Sequence, residues 1–247
     1  MRDRMDLSNI IFNSLKYPFR NIVKLPIIFI LFFLITIIPI GKLLNNDYIV
    51  IIGVIAFFVF ILIVPGYFLN IVKVGSRQSA MFPSLNLVNS IFDSIRVLLL
   101  RIVYMIVPAA MFFIVLSTLG SSSFALLYDF KILDFLANFG LSLVIILITY
   151  LIFEFLLFFA KARLAYLNSL SEALKINKVV ADIRTIGIFN IIKWLIAMVI
   201  LMVVISVVSS YVLTIPYVGV LIDICVIVPI MESIANYSLG MLYSNIS

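Results

Sequence analysis

Glu154 and Glu232 are each the only charged residue in a long apolar stretch, the first within residues 135–160 and the second within residues 224–247. A carboxylate surrounded by Leu, Ile, Phe and Val must be paired, neutralised or put to use. Arg101 and Lys193 each sit inside apolar sequence near its basic flank, and Asn236 follows Glu232 by one helical turn. If these stretches are helices crossing a bilayer, both glutamates lie roughly 20–24 Å from their far ends at 1.5 Å per residue. Arg101 and Lys193 fall at about the same depth, so interhelical ion pairs are geometrically available. Three chemistries follow: structural charge pairing, proton or ion coupling, and catalysis. The first is preferred. A span with a dozen Leu, Ile, Val and Phe gains roughly 4–8 kcal/mol on insertion, against about 2.5–3.5 for one central carboxylate, and Lys161 or local water shares the load near the interface.

Other chemistry is hard to build from this composition. The chain has no His and a single Cys, Cys225. An intramolecular disulfide, a thiolate metal cluster, haem ligation and most nucleophile–base constellations lose their usual participants. No Walker loop, dinucleotide fingerprint, nucleophile elbow or calcium loop is present. No cofactor, metal or catalytic residue is therefore expected, and the chain is read as not an enzyme. Asp223 is expected near the far end of its stretch, solvated by headgroups.

The elements that position these residues follow from hydropathy. Hydrophobic residues make up 65% of 247 positions and charged ones 11%, against about 45–50% and 25% in soluble domains. Too little polar surface is left to cover a water-soluble fold. Six apolar stretches, at about 25–44, 48–72, 97–119, 138–160, 191–213 and 218–242, approach the roughly 20 residues that cross a bilayer. None alternates with a period of two, so helices and not barrel strands are expected. The expected fold is all-α: a single six-span domain over residues 1–247.

Of the 17 Lys and Arg, 15 fall before the first stretch or on alternate connections, and only Lys42 and Lys131 on the others. Cytoplasmic segments retain cations, so both termini are expected in the cytoplasm of a cell-membrane protein. The net charge of +6 reflects this topology and contact with anionic lipid, not a nucleic-acid stripe. Arg2, Asp3 and Arg4 lie far from the first apolar run, which is expected to be retained and not cleaved.

An internal repeat overlies this pattern. Asn9-Ile-Ile-Phe-Asn-Ser-Leu-Lys16 recurs as Asn89-Ser-Ile-Phe-Asp-Ser-Ile-Arg96, identical at four of eight positions. The same offset of 80 sets Asn21-Ile-Val-Lys24 over Arg101-Ile-Val-Tyr104, and Asn190-Ile-Ile-Lys193 matches the former closely. Three parallel copies are expected, at approximately 7–74, 84–168 and 176–247, each a cytoplasmic amphipathic helix followed by two spans. In the second copy Val88, Ile91, Phe92 and Ile95 form an apolar stripe that should lie in the interface plane, capped by Ser84. Ser169 and Glu172 form a capping box before the third. Residues 120–136, rich in Phe and Leu, are expected as a helix on the outer interface. Pro65, Pro108 and Pro229 are read as packing kinks. Tyr150, Glu154 and Lys161 share one helix face and Glu232, Asn236, Gly240 and Tyr243 another, both expected to face protein. The first and fifth spans are expected to face lipid.

Ser14-Leu-Lys-Tyr-Pro18, Pro65-Gly-Tyr67 with Pro83 beyond it, and Ile215-Pro-Tyr-Val-Gly219 before Gly240 and Tyr243 carry a resemblance over nearly the whole chain. It resembles the archaeal membrane proteins classified as domain of unknown function 4013. That family pattern usually sets an acidic and aromatic cluster after the Pro, where Ser84 to Leu87 stand here. The resemblance implies a membrane fold and no activity. The function expected is a structural or lipid-interacting membrane role, with membrane lipids, a second copy or other membrane proteins as partners. A small transporter using the intramembrane acids is the alternative, and a membrane-embedded lipid enzyme the third.

Overall fold

Among the described residues six helices are long and apolar enough to cross a bilayer: Leu25–Leu43, Asp47–Ser76, Leu87–Ser117, Gly140–Leu167, Ile188–Leu213 and Val218–Ile246. The computed structural model describes residues 6–118 and 132–246, with side chains at 6–117 and 140–246. Among the described residues every regular element is helical. In chain order they are α1 (Leu7–Arg20), α2 (Leu25–Leu43), α3 (Asp47–Ser76), α4 (Leu87–Thr118), α5 (Ile132–Leu167), α6 (Leu170–Ala173), α7 (Ile176–Ile186), α8 (Ile188–Leu213), α9 (Val218–Ile222) and α10 (Val228–Tyr243). The helix expected over 120–136 falls largely on 119–131, outside the described residues; from Ile132 the chain is already α5.

Local chemistry sets the helix ends. Asn46 caps α3 by accepting from the Tyr48 and Ile49 amides, and Asp47 complements the positive end of the helix dipole. Asn86, not Ser84, caps α4 through the Asn89 amide at 3.2 Å. Ser169 accepts from the Glu172 amide at the start of α6. Between α9 and α10 a wide turn spans Asp223–Ile227. Pro229 has no N–H for the Cys225 carbonyl, and the wider turn absorbs that lost bond. Pro65 and Pro108 lie within unbroken α3 and α4.

The second amphipathic segment does not lie apart. Leu87–Thr118 is one helix, because Val97-Leu-Leu-Leu carries no breaker, whereas Asn21–Lys24 and Gly187 (φ +92°) separate α1 from α2 and α7 from α8. Its apolar stripe also points outward. Val88, Phe92 and Ile95 are exposed, while Ser90, Asp93 and Ser94 are buried.

α3 is the hub, packed on α2, α4, α5 and α10. Two crossings depend on missing Cβ atoms. A Cβ on Gly66 would come within 2.0 Å of the Ser90 carbonyl oxygen, and the Gly66 amide donates to Ser94 Oγ at 2.7 Å. A Cβ on Gly240 would come within 2.3 Å of the Val72 carbonyl oxygen, and one on Gly75 within 2.4 Å of that of Tyr237. Backbones therefore touch directly, the packing that holds helices together in lipid, where hydrophobicity does not drive them together.

Burial concentrates at the end where most cations lie. Tyr17 of α1 stacks on Phe82 (4.5 Å) and Tyr237 (3.9 Å), and its phenol is held well above the usual ionisation range by burial. The connection between α3 and α4 is pinned there: Asn21 Nδ2 donates to the Ala80 carbonyl (2.8 Å), Lys24 Nζ to that of Phe82 (2.9 Å) and the Tyr67 hydroxyl to that of Pro83 (3.2 Å). Gln78 reaches Ser244, bringing the end of α3 to the end of the chain. At the opposite end, α2 and α9 line an apolar cavity of about 270 Å³.

Candidate functional site: charges within the bundle

α4 and α5 bring Arg101 and Glu154 together, Nη2 to Oε1 at 3.1 Å. The Tyr150 hydroxyl, one turn before Glu154, donates to the same oxygen at 2.9 Å. α5 and α10 build the neighbouring chain: Lys161 Nζ donates to Asn236 Oδ1 at 2.6 Å, and Asn236 Nδ2 donates to Glu232 Oε2 at 3.0 Å. Lys161 also lies within electrostatic range of both Glu232 and Arg101. Two cations and two acids from three helices thus form two neighbouring chains, one completed by Tyr150 and the other bridged by Asn236.

The arrangement departs from depth matching at two points. Lys193 is exposed on α8 and makes no ion pair among the described residues. Its neighbour Trp194 takes the inward position and donates to Ser238 Oγ, so Lys193 points about 100° away. Lys161 takes the place expected for it. Glu232 is exposed while Asn236, Gly240 and Tyr243 are buried. Four-residue steps overshoot the helical repeat by about 40° each, so Glu232 stands about 80° round from Gly240. Asp223, expected among headgroups, accepts from Ser209 of α8.

A second charged group, which sequence reasoning missed, ties the basic end. Asp182 of α7 accepts from Arg163 and from the Tyr243 hydroxyl on α10. Arg163 also donates from Nε to the Glu172 carbonyl (3.0 Å) and from Nη2 to its carboxylate (3.3 Å), and Lys175 pairs with the same carboxylate. Lys175 first and Arg163 second hold the Glu172 carboxyl below its usual value. Tyr104 of α4 closes over this group by donating to the Ala173 carbonyl at 3.0 Å.

A third group lies between α3 and α4. Asp93 accepts from Lys73 at 2.7 Å and from Arg96 at 3.4 Å, and Arg96 reaches Asn168 at 3.3 Å. It borders an open cavity of about 610 Å³. A signal for both groups stood in the sequence: Lys73 precedes Asp93 by 20 residues and Arg163 precedes Asp182 by 19. Among the described residues no three His, Cys, Asp or Glu side chains converge as metal ligands.

No curated protein and no solved structure matches the chain. A family model matches residues 49–214, 166 of the 247. The match runs from α3 through α8 and takes in Arg101, Glu154, Lys161 and the Lys73–Asp93 and Arg163–Asp182 pairs. With two thirds of its length covered, the chain belongs to the family described as "Protein of unknown function (DUF4013)".

Proposed function

We propose that the protein is a non-catalytic, lipid-interacting structural protein of the cell membrane, with both termini in the cytoplasm. One observation carries this reading. Four of the charges within the spans are partnered, through Arg101–Glu154–Tyr150 and Lys161–Asn236–Glu232, the arrangement expected of fixed structural charges in a medium without water. Five cavities among the described residues are lined by neither Glu154 nor Glu232. The 15-to-2 division of cations supports the orientation.

Three parallel two-span repeats are part of the proposal. Asn21 and Asn190 make the same side-chain bond to the carbonyl four residues back, at 3.1 and 3.0 Å. Asp93 and Asp182 each take a cation from the end of the preceding span. A transport reading has one observation in its favour: Glu232 is exposed and, among the described residues, its carboxylate bonds only through Asn236.

Reconstitution tests the two readings. Vesicles containing the protein should show no pH- or ion-driven flux above empty vesicles, and the purified protein should retain phospholipid by native mass spectrometry. A flux that Glu232→Gln abolishes, with the variant still folded, would replace the structural reading with transport.

A further inference from the structure

The two Lys/Arg–Asp pairs at the basic end differ in what surrounds them. Arg163–Asp182 is closed by Tyr243 and α6. Lys73–Asp93 opens onto the cavity of about 610 Å³, whose walls also carry Arg77, Arg96, Asn70 and Asn168. Three cations face one acid, a surplus of two positive charges. Both Asp93 oxygens are occupied, one by Lys73 and one by Arg96, so the acid clamps two cations at the wall. Arg77 has no side-chain partner among the described residues, nor does the half-buried amide of Asn70. Lys and Arg are donors only, with three and five N–H groups, so most of their donors remain unspent.

We propose that this cavity binds a phosphate group carried as a monoester. Such a group bears about −1.5 to −2 charges at neutral pH and presents three acceptor oxygens, matching both the charge surplus and the donor surplus. A lone carboxylate would leave one positive charge uncompensated. The same chemistry is offered by an anionic lipid headgroup and by phosphate in solution. The surroundings favour the lipid: Phe92, which lines the cavity, is 62% exposed, as are Val88 (61%), next in sequence to the lining Asn89, and Met81 (75%), two residues before the lining Pro83, and basic pockets at the ends of membrane helices recognise lipid phosphates. This assignment rests on the lipid-interacting reading and gives it a ligand.

The test uses the full chain in detergent, titrated with short-chain phosphatidic acid, short-chain phosphatidylcholine and inorganic phosphate, with affinity read by native mass spectrometry or thermophoresis. Phosphatidic acid should bind saturably and phosphatidylcholine should not. Arg77→Gln changes an exposed, unpaired side chain, so the fold survives. It should weaken phosphatidic acid binding about tenfold, the loss of one charge-assisted hydrogen bond, and Arg77→Lys should recover most of that. Inorganic phosphate binding with the same Arg77 dependence, without phosphatidic acid binding, supports the site and assigns its ligand to solution. Equal affinity for both lipids with no phosphate binding, or binding unchanged in folded Arg77→Gln, overturns the proposal. Lipid retained by the purified chain is scored separately, so the pocket can fail while the lipid-interacting reading stands, and the reverse.

Discussion

Neutralising Glu154 probes the intramembrane group where its geometry is most direct. Glu154→Gln leaves Tyr150 a polar partner but removes the charge that Arg101 meets at 3.1 Å. Arg101 is four residues beyond Val97, the first residue of the apolar stretch after Arg96, hence about 6 Å into hydrocarbon. An unpaired charge costs about 2.5–3.5 kcal/mol at mid-membrane and less near the edge, where a guanidinium can reach back to headgroups. Arg101 is 60% exposed, which places the cost below that range. Each single neutralisation, Glu154→Gln or Arg101→Gln, should therefore cost about 1–2 kcal/mol. The double variant should recover about 1 kcal/mol of the summed loss, within the range for polar contacts between membrane helices. Unfolding of the four proteins in mixed micelles, followed by circular dichroism as the denaturing detergent fraction rises, measures the cycle. Single losses that add to within about 0.3 kcal/mol would refute the reasoning. Lys193→Gln is the internal control: it should cost nothing measurable and add independently to Glu232→Gln, because Lys193 is exposed and unpaired.

The crossing of α3 and α10 should tolerate no methyl group: Gly240→Ala, with its Cβ 2.3 Å from the Val72 carbonyl oxygen, should cost about 2 kcal/mol or more in the same assay. Gly140→Ala meets nothing within 4 Å among the described residues and should be neutral or gain up to about 1 kcal/mol. Because the Glu172 pKa is depressed in the folded protein, its stabilisation is present above the ordinary value of 4.5 and lost as pH falls through the depressed one. The unfolding midpoint of Glu172→Gln should thus depend less on pH below about 4.5 than that of the parent protein, and parallel curves would count against the Lys175 and Arg163 contacts. In a Cys225→Ala background, a cysteine at Asn46 should react with an impermeant thiol reagent on intact cells and one at Asn168 should not. Both positions are exposed, and reversed labelling would overturn the orientation.

The six spans were legible because bilayer thickness fixes how long an apolar helix must be, and composition shows where each begins to qualify. Partners were less legible, because depth along a helix is one coordinate and azimuth another. Glu154 and Arg101 agree in both. Lys193 agrees with the glutamates in depth and faces away, since Trp194 beside it holds the inward direction. The stripe at Val88–Ile95 suggests a separate helix in the interface plane, but α4 runs on through Val97 without a break, with Val88, Phe92 and Ile95 outward and Ser90, Asp93 and Ser94 against α3. Asp182 with Arg163 and Tyr243 joins residues 19 and 61 positions apart. Local pattern holds no record of that contact, although the parallel spacing of Lys73 and Asp93 pointed to it.

The two ends of the bundle hold together by different means, and this bears on where recognition resides. In the far half, Ile51, Ile55 and Phe58 of α3 and Val203 and Val207 of α8 are exposed, surfaces that lipid tails solvate as well as another helix would. Association there gains little specificity. At the basic end Leu69, Ile71, Phe159, Ala162, Leu164 and Leu239 are fully buried, and Ser14, Ser94, Asp182 and Ser238 are buried among them. Each of those polar groups is bonded, so misplacing any helix leaves a polar atom unpaired where water is scarce, and one arrangement is selected. The cavity at Lys73, Arg77 and Arg96 is set into this rigid half. Two of its cations, Lys73 and Arg96, are held in place by Asp93 and Asn168 before any ligand arrives, and their ordering cost at binding is correspondingly small.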